Sequence, residues 1–292
     1  MRKSFTLRFA IALIIGLAAA VAIAPLAALV VARAGFRIPF PRIFDRVVML
    51  ALFGVILYAA RDLRLFTMLR AGFKDPRGGV WRGLRGFTVA IAVMAILFAA
   101  AFAMGAARGG AASRALADLP KYLAAAIVIG ILEEAFFRAF LFGGMCDDFG
   151  RTGALVTSAA IYAVAHLVRS PAHFYVTGLD LTAGLRTLTG SGAQLAHPAS
   201  ALPTLLGLFL FGIVLAQAYI ATGSVYFSIG LHGGFVLGSK LWPKLIAERA
   251  PLPGWLAGWG HQPIISGAAA WIAALAILAM LPALDGNRKR AV

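Results

Sequence analysis

Eight apolar runs, each close to the length of a bilayer-crossing helix, govern what this chain can fold into. Crossing the hydrocarbon as a helix takes about 20 mostly apolar residues, because the bilayer core has no water to satisfy backbone polar groups. The runs lie near Leu7–Val31, Ile43–Ala60, Phe87–Ala107, Tyr122–Met145, Thr152–Val168, Leu202–Thr222, Val225–Leu241 and Ile264–Leu281. Composition agrees with them. Of 292 residues, 61% are hydrophobic and 13% charged, whereas about a quarter of a soluble domain is charged. The expected fold is all-α, a polytopic integral membrane helical bundle of about eight transmembrane helices, forming one membrane domain over residues 1–292.

Two runs need comment. The first begins after Arg2, Lys3 and Arg8 and contains Ala20-Val21-Ala22, which together resemble a secretory signal. Its apolar stretch is too long for one, so it reads as a span. The second is uninterrupted only from Val47 to Ala60. It reaches across by using Ile43 and Phe44 and letting Arg46 snorkel.

The net charge of +16 would suggest nucleic acid in a soluble protein. Here the basic residues sit in the gaps between apolar runs, not on one polar face, which points away from nucleic acid and towards anionic lipids. An even number of spans puts both ends on one side. That side carries 14 Lys and Arg, seven of them between Arg61 and Arg85 and three at Arg288, Lys289 and Arg290, against 12 opposite, so both termini are expected in the cytoplasm. Arg33 to Arg46 and Arg61 to Arg70 interleave Arg with apolar residues as interfacial segments do. The stretch from Arg169 to Ser200 reads as irregular, a lid or re-entrant loop. Cys146 is the only cysteine, so the chain forms no internal disulfide and no cysteine cluster for a metal.

An ionisable group deep in a bilayer costs several kcal/mol on most scales and marks a functional site by default. Nine of the eleven acids, among them Glu248 and Asp285, fall in loops or at span ends, while Glu133 and Glu134 lie in mid-span. Of five histidines only His166 and His232 lie inside apolar runs. Glu134 and Arg138 are i and i+4 and pair along one helix face. Glu133 points about 100° away with no local cation, and a buried carboxylate acting as a base needs water or a cation beside it. Glu133, His166 and His232 converging from three helices suit either of two chemistries. One is a two-His, one-carboxylate zinc site, the other a water held by Glu and His as general base. Gly230, Gly233 and Gly234 would let a backbone or substrate approach closely.

Glu133-Glu134-Ala135-Phe136-Phe137-Arg138 resembles the E-E-x-x-x-R motif of the CAAX prenyl endopeptidase type II and bacteriocin-processing (CPBP) family. Tyr162-Ala163-Val164-Ala165-His166 is similar to its F-x-x-x-H motif, with Tyr for Phe. His232 to Val236 is similar to its H-x-x-x-N motif, with Val236 where Asn often stands. The resemblance covers roughly residues 122–238, the expected catalytic core. It implies an intramembrane endopeptidase of a bacterial inner membrane acting on a membrane-associated peptide or protein. By that resemblance Glu133 is the general base, His166 its partner and His232 an oxyanion stabiliser or metal ligand. Glu134, Arg138 and Tyr162 support the site, and Val236 stands at the second oxyanion position without a hydrogen bond to offer. Family members are often named metalloproteases, which keeps zinc on Glu133, His166 and His232 open. Two other readings of the same residues are a non-catalytic bacteriocin-immunity or peptide-binding relative and a proton-coupled transporter.

Overall fold

The computed structural model describes residues 4–106, 111–171, 173–246, 252–259 and 263–284. Arg2, Lys3, Ala107, Glu248, Asp285 and Arg288 to Arg290 lie outside them. Among the described residues every regular element is helical. In order they are α1 (Phe5–Arg33), α2 (Phe40–Tyr58), α3 (Leu65–Gly72), α4 (Pro76–Ala103) and α5 (Ala111–Glu134), a π-helical segment (Ala135–Phe142), then α6 (Gly143–Leu167), α7 (Ala183–Ser191), α8 (Pro198–Thr222), α9 (Tyr226–Leu245), α10 (Gly254–Ala257) and α11 (Ala268–Met280). Each of the eight apolar runs lies mostly in helix among the described residues, the third running past the helix end at Ala103 and the last beginning before Ala268. By length and composition three of these, α1, α4 and α8, are long and apolar enough to cross a membrane, and α11 is apolar but has 13 residues. The others are shortened or interrupted by the polar residues they carry, as α2 is by Arg42, Asp45 and Arg46.

The chain divides into two compact units. One comprises Met1–Phe66 and Val164–Ala201. In it α1 begins at a Ser4 cap, whose side chain accepts the Leu7 N–H at 3.2 Å. Further along, Ala24 and Ala28 of α1 bury against Phe40 and Phe44 of α2 and Ala183 of α7. The stretch from Arg169 to Ser200 is not the irregular loop its Gly, Thr and Ser content implies, since it contains α7 and a short 3-10 turn, Ala193–Ala196. Gly184 explains how α7 docks: a Cβ there would overlap the backbone carbonyl of Val21. Phe174 stacks on Phe40 with ring centroids 5.5 Å apart and accepts the Phe40 N–H at 2.8 Å. This segment is anchored at Phe174 and along the buried face of α7, Ala183, Gly184, Thr187 and Ser191.

The second unit comprises Thr67–Ala163 and Leu202–Val292. Its centre is α9, flanked by α4 and α5. Gly79 meets Tyr226, Gly86 meets Phe227, Ala90 meets Gly234 and Met94 meets Gly238, so residue numbers rise together and α4 runs parallel to α9. At Gly230 a Cβ would overlap the carbonyl of Gly83, and small residues at such a seam let two backbones approach closely. On the other flank Gly130 meets Ile229 and Gly233, while Asp118 meets Lys244 at 3.4 Å, so α5 runs antiparallel.

After Glu134 the chain does not turn back. It passes into eight residues of π-helix and then α6, which kinks at Gly150 (φ 67°, ψ 175°). Wider π turns inside α-helices are rare and frequent at functional sites.

Candidate active site

The π segment begins directly after the two acids. Glu134 is fully buried and Arg138 is 2% exposed, and their charged groups meet at 3.2 Å between Nε and the carboxylate. The guanidinium lies 4.7 Å from the centroid of the Tyr162 ring and reaches the Gly212 carbonyl of α8 with an Nη at 3.5 Å. The other Nη of Arg138 is buried without a hydrogen-bond partner, and the aromatic face over the guanidinium offsets part of that cost.

The other oxygen of Glu134 lies 2.9 Å from Nδ1 of His232, which is itself 3% exposed. The far nitrogen of the same ring, Nε2, lies 3.8 Å from the carboxylate of Glu133. One imidazole therefore stands between two adjacent carboxylates. Its orientation is held from the sides by Phe211 and Tyr162, whose rings meet it near edge-on with centroids 5.5 and 6.2 Å away. The Glu133 side chain is 29% exposed against 0% for Glu134, so the two acids differ sharply in access.

This corrects part of the sequence expectation. Helical spacing assigned Arg138 to Glu134 as its partner, and that holds. It did not show that Glu134 also binds His232, although a buried carboxylate with two oxygens needs more than one donor. The tautomer of His232 is assigned from this contact: with Glu134 ionised beside Arg138, Nδ1 carries the proton and donates it. Nε2 faces the Glu133 carboxylate at 3.8 Å, beyond a direct hydrogen bond, and the two are best joined through a small polar group such as water.

Glu133, Glu134, Arg138, Tyr162 and His232 thus come together in one unit. His166 stands one turn beyond Tyr162 on α6, in the unit that resumes at Val164. Val236 follows His232 by one turn on α9 and is half-buried. Ser228, near it in sequence, already donates its hydroxyl to the Val225 carbonyl at 3.0 Å. Among the described residues no three His, Cys, Asp or Glu side chains are grouped to hold a metal ion. Nδ1 of His232 is engaged with Glu134, so of its ring only Nε2, on the Glu133 side, could serve the zinc set of Glu133, His166 and His232 that the sequence left open.

Residues 114–238 match the family model described as Type II CAAX prenyl endopeptidase Rce1-like. The matched segment contains all three motifs, from Glu133 through His166 to His232, and bears out the family resemblance read from them. No curated protein and no solved structure matches the chain.

Proposed function

From the match of residues 114–238 to the Rce1-like type II CAAX prenyl endopeptidase model, we propose that the chain hydrolyses a peptide bond of a membrane-associated protein or peptide, using a water activated by Glu133. The observation that carries this reading is the file Glu134, His232, Glu133, joined at 2.9 and 3.8 Å. A water between Nε2 and the Glu133 carboxylate gives a proton to Glu133 as its oxygen bonds to the scissile carbonyl carbon. The tetrahedral adduct expels the amine, which takes that proton, and a carboxylic acid remains. His232 in its protonated state donates Nε2–H to the developing oxyanion, and the buried Glu134 carboxylate stabilises that charge through Nδ1, as the acid of a triad does. The family resemblance gives His166 the role of partner to Glu133. No metal enters these steps.

The test compares membrane peptides from cells carrying the wild-type chain or Glu133→Gln. A cleavage present in the first and absent in the second supports hydrolysis. Identical peptide sets would favour the second reading, a relative that binds peptide without cutting it, for which the apolar Val236 is the supporting observation.

A further inference from the structure

We propose that a groove on the flank of α4 away from the active site binds an anionic phospholipid, its acyl chain lying in the groove and its phosphate on Arg85. The groove has a volume of about 480 Å³ and is walled by Leu84 and Val89 of α4, Phe227 of α9 and Met280 of α11, with Trp81 and Arg85 among its lining residues. Its surface is almost wholly apolar, and the hydroxyl of Thr88 is turned back on the Leu84 carbonyl at 2.9 Å. An acyl chain satisfies such walls and a polar ligand does not.

Charge selects the headgroup. Arg82, one residue after Trp81, is neutralised by Asp75 at 3.1 Å. Arg85 has no carboxylate beside it among the described residues, and its guanidinium rests 5.4 Å from the Trp81 ring centroid. A Trp and an uncompensated Arg at the end of an apolar helix is the arrangement of a membrane interface, where the ring sits at headgroup level and the cation meets phosphate. The topology reinforces this. The starts of the parallel helices α4 and α9 and the end of α11 all meet at the groove. The N-terminal ends of α4 and α9 add their positive dipole ends to the same side. It is also the side to which the segment with seven Lys and Arg, Arg61 to Arg85, belongs.

The test reads Trp81 fluorescence in the full chain reconstituted in phosphatidylcholine nanodiscs, taken as the difference between the wild type and Trp81→Phe because the chain has five Trp. Phosphatidylglycerol brominated on its acyl chains, added as a minor component, should quench Trp81 about fivefold more effectively than brominated phosphatidylcholine, as one basic contact to an anionic lipid implies. Arg85→Gln should remove the preference and Arg85→Lys should keep it. Equal quenching by the two lipids in the wild type, or a preference that survives Arg85→Gln, overturns the proposal. So does relief of quenching by a farnesylated peptide, which would make the groove a seat for an isoprenoid chain. These readouts involve no cleavage and stand or fall apart from the protease reading.

Discussion

His232 and Glu134 are joined at 2.9 Å across 98 residues of sequence, and the same carboxylate holds Arg138 at 3.2 Å. One buried acid therefore both anchors the π segment and aims an imidazole at its neighbour Glu133. Losing it should injure folding and chemistry together, whereas losing Glu133 should injure chemistry alone.

Glu133→Gln should abolish peptide cleavage while leaving the yield of monodisperse, detergent-solubilised protein unchanged, because the amide keeps the shape and loses the basicity. Glu134→Gln should lower that yield, since removing one partner of a buried pair costs about 3–5 kcal/mol. Equal activity loss at both positions with full yields at both would contradict this division.

His232→Ala should lower cleavage by about 10²-fold to 10³-fold, the usual effect of losing one oxyanion donor. Combined with Glu134→Gln, the loss should be much smaller than the product of the single losses, because Glu134 acts on the reaction through His232. A double-mutant cycle of initial rates checks this, and multiplicative losses would show two independent roles.

Val236→Asn should raise turnover by about 10²-fold if no other group, such as a backbone N–H near Gly233 and Gly234 or the Gln217 amide, already serves as the donor, and should change it little if one does; Ser228 is committed to the Val225 carbonyl. A fall in turnover by the folded variant would mean that Val236 packs against substrate or core.

Gly230→Ala should destabilise the second unit, because the added methyl meets the Gly83 carbonyl and the Phe87 backbone nitrogen. Overpacking of this kind typically costs about 1–3 kcal/mol. Thermal unfolding in detergent should show a lower midpoint, and an unchanged midpoint would mean that α4 and α9 separate easily.

Asp75 caps α4 from a left-handed backbone conformation (φ 50°). The Gly78 N–H, and after it Arg82, hold its carboxyl below the ordinary 3.8. A lowered folded-state value means that the cap's contribution is present above that ordinary value and is lost as pH falls through the folded one. Hydrogen exchange at Gly78 and Gly79 should therefore show protection at pH 5 that is lost on further acidification. Asp75→Asn should lack that pH dependence.

Much of this was legible in the chain. The helical runs follow from apolar length, and the site follows from the expense of placing Glu133, Glu134, Arg138 and His232 in such runs. Glu134 with Arg138 is a local pair, readable from spacing alone. The Glu134 to His232 contact is not local, and no pattern within either helix encodes it. The helix of residues 183–191 was hidden because Gly184, Gly190 and several Thr and Ser read as loop, when the glycine is there to let α7 touch α1. The π segment was hidden for a plainer reason: Ala135 to Phe142 contains no Gly or Pro to mark a change of winding.

That segment constrains the chain in a way its letters do not reveal. A stretch of π-helix fits more residues into each turn than regular winding allows, and Phe140, Leu141 and Phe142 are buried at its end. Delete any one residue between Ala135 and Phe142 and ordinary winding can resume, which removes the wide turn itself and rearranges the side chains that follow Glu133 and Glu134. The aromatic side chains tolerate exchange for others of similar size. What does not tolerate change is the count, so among variants of this protein the length of this segment should vary less than its spelling.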